Sequence, residues 1–172
     1  MIFSNKVIKN FQRWGKIPLI LFQRWGKSKT TVVNEFGKQF DNYLYLNLEK
    51  REAASLFELN VSLKDLMPLF FAHCGKIRNE GTILLFIDEI QNSAKAVALL
   101  RYFYEELPDI YVIAAGSLLE NLIDVRVSFP VGRVQYMALR PCSFREFLGA
   151  VGEEPLLSVL DKPEMINLRD VK

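Results

Sequence analysis

The hydrophobic pattern of the chain centres on one apolar run, Ile83–Ile87, which ends in two adjacent carboxylates, Asp88 and Glu89. An uninterrupted run without period-2 alternation is typical of a strand that is buried on both faces of a parallel sheet. Short apolar or alternating runs predict four further strands, at Ile17–Phe22, Asn42–Leu48, Ile110–Ala115 and Val131–Leu139.

The segments between these strands, and one segment after the last strand, are predicted to be helices. The predicted helices are Thr30–Phe40, Ala53–Leu59, Ser62–His73, Ala94–Leu107 and Ser143–Leu148. Ser62 is predicted to be an N-cap, Pro68 to kink or split its helix, and Tyr102–Tyr104 to pack against the sheet. Strands that alternate with helices favour βαβ crossovers, so the sequence predicts a three-layer α/β domain with a mostly parallel five-stranded sheet.

Composition narrows the class of protein. The chain has 172 residues, of which 50% are hydrophobic and 24% charged, and its net charge of +2 is too small to indicate nucleic-acid binding by itself. Cys74 and Cys142 lack metal or redox spacing, and no segment approaches the roughly 20 apolar residues of a membrane span. We therefore expect a cytoplasmic protein with no membrane partner. The predicted organisation is a helical lead-in over residues 1–16, a main domain over 17–150 and the truncated start of a C-terminal region over 151–172.

The two carboxylates after the central strand suggest a catalytic site. Functional groups in open α/β sheets collect beyond the carboxyl ends of the strands, where Asp88 and Glu89 stand. In nucleotide hydrolases with this arrangement, the first carboxylate holds Mg²⁺ and the second orients or deprotonates the attacking water. The alternative is an ordinary strand followed by acidic residues that cap the next helix.

The loop after the first strand has the position of a phosphate-binding loop but lacks its glycines. Such a loop reads G-x-x-x-x-G-K-[ST]. In the register that we prefer, Lys29 and Thr30 are the lysine and the Mg²⁺-binding hydroxyl, while Gln23 and Ser28 stand at the glycine positions. A non-glycine residue at positive φ costs about 1–2 kcal/mol, so we expect weakened nucleotide binding.

A second register uses the literal G-K-S sequence Gly26–Ser28, with Leu21 at the first glycine position. The candidates for nucleotide binding over both registers are Gly26, Lys27, Ser28, Lys29, Thr30 and Thr31.

The same loop contains a duplication, because Phe11–Lys16 is repeated unchanged as Phe22–Lys27. A local duplication that overwrote the loop is the simpler interpretation. The alternative is that its interleaved aromatic and basic side chains bind single-stranded nucleic acid.

Five blocks in the sequence, taken together and in order, resemble a known family. They are Leu84–Gln91, Leu100–Glu106, Val112–Glu120, Phe129–Arg133 and Arg140–Phe147. From about Pro18 to Leu148 the chain resembles the N-terminal ATPase domain of a prokaryotic AAA-type P-loop ATPase family, whose members usually carry a C-terminal region of winged-helix and nuclease-like character. We expect that region to be missing here.

The resemblance implies that the strand ending at Ser117 lies between the phosphate-loop strand and the carboxylate strand. Ser117 would then sense the γ-phosphate, or else cap the next helix. Arg133 would stabilise transition-state charge in its own site or across a subunit boundary, or else be a salt-bridged surface residue. Gln91 would hydrogen-bond the attacking water or merely lie in the loop.

The expected function is Mg²⁺-dependent ATP hydrolysis, with ATP and Mg²⁺ as cofactors and a homo-oligomer or protein partner. The catalytic residues would be Glu89, Ser117 and Arg133, and the metal ligands Thr30 and Asp88. The alternatives are a non-catalytic pseudo-ATPase that serves as an interaction module and, third, a single-strand nucleic-acid binder.

Overall fold

A computed structural model of the chain describes residues 18–22, 28–116, 133–138 and 143–161. In chain order the elements are β1 (Leu19–Phe22), α1 (Ser28–Gly37), β2 (Asn42–Asn47), α2 (Arg51–Glu58), α3 (Leu63–His73), β3 (Ile83–Asp88), a 3-10 helix (Ile90–Asn92), α4 (Ala94–Glu106), β4 (Ile110–Gly116), β5 (Gln135–Ala138), α5 (Phe144–Val151) and α6 (Glu154–Asp161). The predicted helical lead-in, residues 1–16, lies outside the described residues.

The five strands form one sheet in the order β2-β3-β4-β1-β5, and every neighbouring pair is parallel. The α/β fold with a parallel five-stranded sheet is therefore confirmed, and so is the expected position of β4 between β1 and β3. Because all strands run in the same direction, their carboxyl ends meet at one edge of the sheet. This carboxyl edge holds Phe22, Asn47, Asp88 and Gly116.

Helices cover both faces of the sheet, which explains the unbroken apolar run in β3. Leu84 and Phe86 pack on one face with Val33 and Phe36 of α1. Leu85 and Ile87 belong to the larger cluster on the other face, where the helices α2, α3 and α4 contribute Ala53, Phe57, Leu66, Phe70, Ala96, Val97, Leu100 and Phe103. The three-layer arrangement follows from this alternation.

Local signals in the sequence set several helix ends. Ser62 caps α3, because its hydroxyl oxygen accepts a hydrogen bond from the Asp65 N–H at 3.3 Å. Pro68 does not split the helix, which continues to His73. The helix α1 begins at Ser28, two residues before the predicted start at Thr30. None of the described helices is long and apolar enough to cross a membrane.

Residues 143–161, which contain α5 and α6, belong to a second compact unit. Ser143 and Glu146 form a capping box at the start of α5, and Gly152, with φ of 81°, ends the helix in the left-handed conformation. The domain limits predicted from the sequence, 17–150 and 151–172, stay a prediction.

The aromatic group in α4 is only partly buried. Phe103 is 1% exposed, whereas Tyr102 is 41% and Tyr104 is 40% exposed. The expectation that the whole group packs against the sheet is thus wrong for the two tyrosines, because successive helical residues point about 100° apart and only one of the three can face the core.

This difference gives a matched test of the core. We expect Phe103→Ala to lower the free energy of unfolding by about 3–5 kcal/mol, since it opens a cavity between α4 and the sheet. Tyr102→Ala on the same helix should cost less than about 1 kcal/mol, because its ring lies at the surface. Urea denaturation of both full-length variants measures the two costs, and equal costs would contradict this packing.

Candidate functional site

The beginning of α1 and the end of β3 meet at the carboxyl edge of the sheet. Asp88 follows Leu84 and Phe86 on the same face of β3, so its carboxylate points towards α1. There, Thr30 Oγ1 donates a hydrogen bond to Asp88 Oδ2 at 2.7 Å. Asp88 is 3% exposed, and Lys29, which precedes Thr30 in the first turn of α1, is 5% exposed. The structure thus brings a hydroxyl and a carboxylate together, beside a buried lysine, at the edge where the sequence predicts a nucleotide site.

Two more hydrogen bonds hold the Asp88 carboxylate. The hydroxyl of Tyr45, on β2, donates to Asp88 Oδ2 at 3.2 Å, and the Glu89 N–H donates to Asp88 Oδ1 at 3.1 Å. Burial, and after it the negative charge of Asp88, raises the pKa of Tyr45 to about 12. Tyr45 is therefore a neutral hydrogen-bond donor at neutral pH.

The sequence reasoning missed Tyr45. The alternating pattern of β2 could have placed Tyr43 and Tyr45 on one face of the strand. It could not identify which carboxylate Tyr45 contacts, because that depends on β2 lying beside β3 with Tyr45 paired to Phe86.

Glu89 has an unusual backbone conformation. Its φ of 53° and ψ of 44° lie in the left-handed region, and no other non-glycine residue in the described ranges has a positive φ. Its Oε2 accepts a hydrogen bond from Gln91 Nε2 at 2.5 Å. Such a conformation costs about 1–2 kcal/mol, and strained residues of this kind cluster at functional sites.

Gly116, the last residue of β4, lies beside the loop that contains Glu89 and Gln91. A Cβ atom added at Gly116 would lie 2.5 Å from Gln91 Oε1, so the Gln91 side chain needs the space that a glycine leaves. Gln91 therefore lies between Glu89 and the end of β4. The next residue, Ser117, lies outside the described residues.

The other predicted nucleotide-binding residues are placed as follows. Thr31 is exposed on α1, whereas Lys29 is buried and Thr30 is half-buried. Ser28 begins α1, although the structure describes only its backbone. Gly26 and Lys27 lie outside the described residues.

Arg133 does not join this site within its own subunit. Its guanidinium forms an ion pair with Glu105, near the end of α4, and Glu105 also accepts from Arg101 Nε at 3.1 Å. Arg133 precedes β5, whose first residue, Gln135, is aligned with Leu19 of β1. It therefore lies towards the amino ends of the parallel strands, opposite to the edge that holds Asp88.

The residues at the carboxyl edge fit a magnesium ion that is shared with a nucleotide. In the part of the chain that the structure describes, no group of three or more His, Cys, Asp or Glu side chains could hold a metal ion. Mg²⁺ at nucleotide sites is commonly held by one or two protein oxygen ligands together with phosphate oxygens and waters. The hydroxyl of Thr30 and the carboxylate of Asp88 are hard oxygen donors of this kind.

Comparisons with known proteins agree with this fold. Residues 23–148 match the family described as an AAA domain. A Walker-type ATPase of Pyrococcus abyssi has a similar structure, with a TM-score of 0.54 and 17% sequence identity over 90% of this chain and 57% of that chain. The chain thus spans little more than half of the length of that structure. No curated protein matches the sequence.

Two more distant structures are those of Drosophila ORC bound to DNA and Cdc6. The complex with GC-rich DNA has a TM-score of 0.46 and 12% identity over 80% of this chain and 56% of that chain. The complex with AT-rich DNA has a TM-score of 0.44 and 15% identity over 80% of this chain and 55% of that chain.

The strain at Glu89 can be measured by comparing two substitutions. Glu89→Gly and Glu89→Ala both remove the carboxylate and its hydrogen bond to Gln91, but only glycine relieves the left-handed backbone. We expect Glu89→Gly to be more stable than Glu89→Ala by about 1 kcal/mol in chemical denaturation. Equal stabilities would mean that residue 89 is not strained.

Proposed function

Since the chain belongs to the AAA domain family, we propose that it binds ATP with Mg²⁺ at the carboxyl edge of its sheet and hydrolyses it. The observation that carries this proposal is the hydrogen bond of 2.7 Å between Thr30 Oγ1 and Asp88 Oδ2. It joins the two protein groups that a magnesium–nucleotide complex requires, one from the helix after the phosphate loop and one from the end of the central strand.

The same bond supports the register of the phosphate loop in which Lys29 and Thr30 are the functional lysine and hydroxyl residue. In that register the strand ends at Phe22, and the first turn of α1 contains both residues. Backbone N–H groups at a helix N-terminus, together with the helix dipole, favour a phosphate. The ammonium group of Lys29 would add a positive charge there, and a phosphate would supply the anion that a buried ammonium needs.

Each residue at the edge has a proposed role. Thr30 and Asp88 would hold Mg²⁺, which when bound withdraws negative charge from the phosphates. Glu89 would accept the proton of the attacking water, and Gln91 would orient the Glu89 carboxylate by the hydrogen bond of 2.5 Å. Ser117, which follows Gly116 in the sequence, is proposed to contact the γ-phosphate.

Arg133 is proposed to act on a neighbouring copy of the chain. Its ion pair with Glu105 lies towards the amino ends of the strands, away from the carboxyl edge, and this argues against a role in its own site. This role includes the proposal of a homo-oligomer. A cytoplasmic location and the prokaryotic subfamily also stay proposals.

A non-catalytic function is the second candidate, and the sequence of the phosphate loop favours it. Gln23 and Ser28 occupy the positions where glycines normally let the backbone approach the phosphates. The chain would then keep its sheet as an interaction module without turnover. Nucleic-acid binding through the two duplicated copies, Phe11–Lys16 and Phe22–Lys27, stays a prediction, because all of these residues except Phe22 lie outside the described residues.

Nucleotide binding is tested by thermal shift with Mg-ATP, because a ligand that binds only the folded state raises its stability. We expect Lys29→Ala to weaken binding about ten- to hundredfold, as for the loss of a contact with a charged group. Lys38→Ala is the matched control, since Lys38 directly follows the same helix and forms an exposed ion pair with Glu35. If both variants bind like the wild type, Lys29 is not the phosphate-binding lysine.

Hydrolysis is tested separately by phosphate release. Glu89→Gln should retain Mg-ATP binding but lower the rate by about 10²–10⁴-fold, because it removes the proton acceptor while keeping the shape of the side chain. Glu80→Gln, in the exposed turn before β3, should leave the rate unchanged. An unchanged rate in Glu89→Gln would contradict the proposed role of Glu89, and binding without turnover in the wild type would favour the non-catalytic function.

A further inference from the structure

Tyr45 reaches the site from a strand that the proposed chemistry does not use. In the register of β2 and β3, Tyr45 is paired with Phe86, two residues before Asp88 on the same face. The Tyr45 ring stacks on the Phe86 ring, with centroids 5.3 Å apart and planes inclined by 23°. This stacking directs the hydroxyl along β3 to Asp88 Oδ2, at 3.2 Å.

The hydroxyl of Tyr45 completes the hydrogen bonds that orient the carboxylate. Asp88 Oδ1 is held by the Glu89 N–H, while Oδ2 is held by Thr30 and Tyr45. Of the two side chains that donate to Oδ2, Thr30 is also a proposed ligand of the cation. Tyr45 is not a proposed ligand, so its hydroxyl can orient the carboxylate whether or not a cation is present.

We propose that Tyr45 is a positioning residue of the magnesium–nucleotide site, whose hydroxyl keeps the Asp88 carboxylate turned towards Thr30 so that both can bind one cation. This inference rests on the proposed function, and it adds a residue from β2 to a site otherwise built from α1 and β3. Groups that orient a metal-binding side chain typically change the metal affinity by about ten- to hundredfold when they are removed.

Tyr43 provides a control within the same strand. It lies two residues before Tyr45, on the same face of β2, and its hydroxyl donates to Asn34 Oδ1 of α1 instead of to a carboxylate. Tyr→Phe at either position removes one part-buried, hydrogen-bonded hydroxyl and keeps the ring. A role in packing or stability alone would therefore give similar results for Tyr43→Phe and Tyr45→Phe.

The experiment titrates Mg²⁺ at a fixed ATP concentration and measures ATP binding to the full chain, for the wild type and both variants. We expect Tyr45→Phe to need about tenfold more Mg²⁺ for half-maximal binding, at the lower end of the usual range. Tyr43→Phe should need the same concentration as the wild type. Binding of ATP in excess chelator, without Mg²⁺, should be equal in all three proteins, because the Tyr45 hydroxyl acts on the site through Asp88, the proposed metal ligand.

A double substitution tests whether Tyr45 acts through Asp88. In an Asp88→Asn background, Tyr45→Phe should cause no further change in the Mg²⁺ requirement. If Tyr45→Phe behaves like Tyr43→Phe, or if its effect persists in that background, the inference about Tyr45 is wrong although the proposed function stands. If the wild type itself shows no Mg²⁺-dependent ATP binding, the proposed function fails and the inference fails with it.

Discussion

The burial of β3 on both faces is the constraint on which the site depends. A strand without an exposed face needs helices on both sides, and here α1 covers one face while α2, α3 and α4 cover the other. Side chains alternate along a strand, so the residue two positions after Phe86 lies on the same face as Leu84 and Phe86 and must point towards α1. That residue is Asp88. Its contact with Thr30 is therefore a consequence of the same alternation that buries the strand.

The second carboxylate needs a different backbone. If β3 continued in extended conformation, Glu89 would point to the opposite face, into the apolar layer that holds Leu85 and Ile87. Burying a carboxylate there would cost several kcal/mol, whereas the left-handed conformation of Glu89 costs about 1–2 kcal/mol. The strained turn is thus the less costly solution, and it brings Glu89 within reach of Gln91.

Much of the fold could be predicted because it follows from local patterns. The apolar runs gave all five strands, Ser62 gave the start of α3, and the family resemblance gave the position of β4 in the sheet. The start of α1 was predicted two residues late. Apolar spacing marks where the buried face of a helix begins, and the first turn of α1 faces the site instead of the core.

The site itself was only partly predictable from the sequence. Thr30, Asp88 and Glu89 could be named as candidates, because each belongs to a short stretch of sequence that directly precedes or follows a regular element. Tyr45 could not, since its contact with Asp88 depends on the register between two strands that are more than 30 residues apart in the chain. Side chains that act across a sheet leave no local signal.

The strand register limits the possible role of Arg133. The family resemblance left open whether this residue acts in its own site or across a subunit boundary. Gln135, Leu19, Ile113 and Phe86 are aligned across the sheet, so Arg133 lies about two residues below that level while Asp88 lies two residues above it.

Along the strand direction, Arg133 and Asp88 are therefore about 13 Å apart. Across the sheet, β5 and β3 are separated by three strand spacings, roughly 14 Å, in the perpendicular direction. An arginine side chain at this position cannot reach the proposed magnesium–nucleotide site at Thr30 and Asp88 of the same chain. It is, however, 43% exposed, and an exposed ion pair such as the one with Glu105 contributes only about 0–1 kcal/mol. Exchanging Glu105 for a phosphate bound to a neighbouring copy would therefore cost little, which is consistent with the proposed action of Arg133 across a subunit boundary.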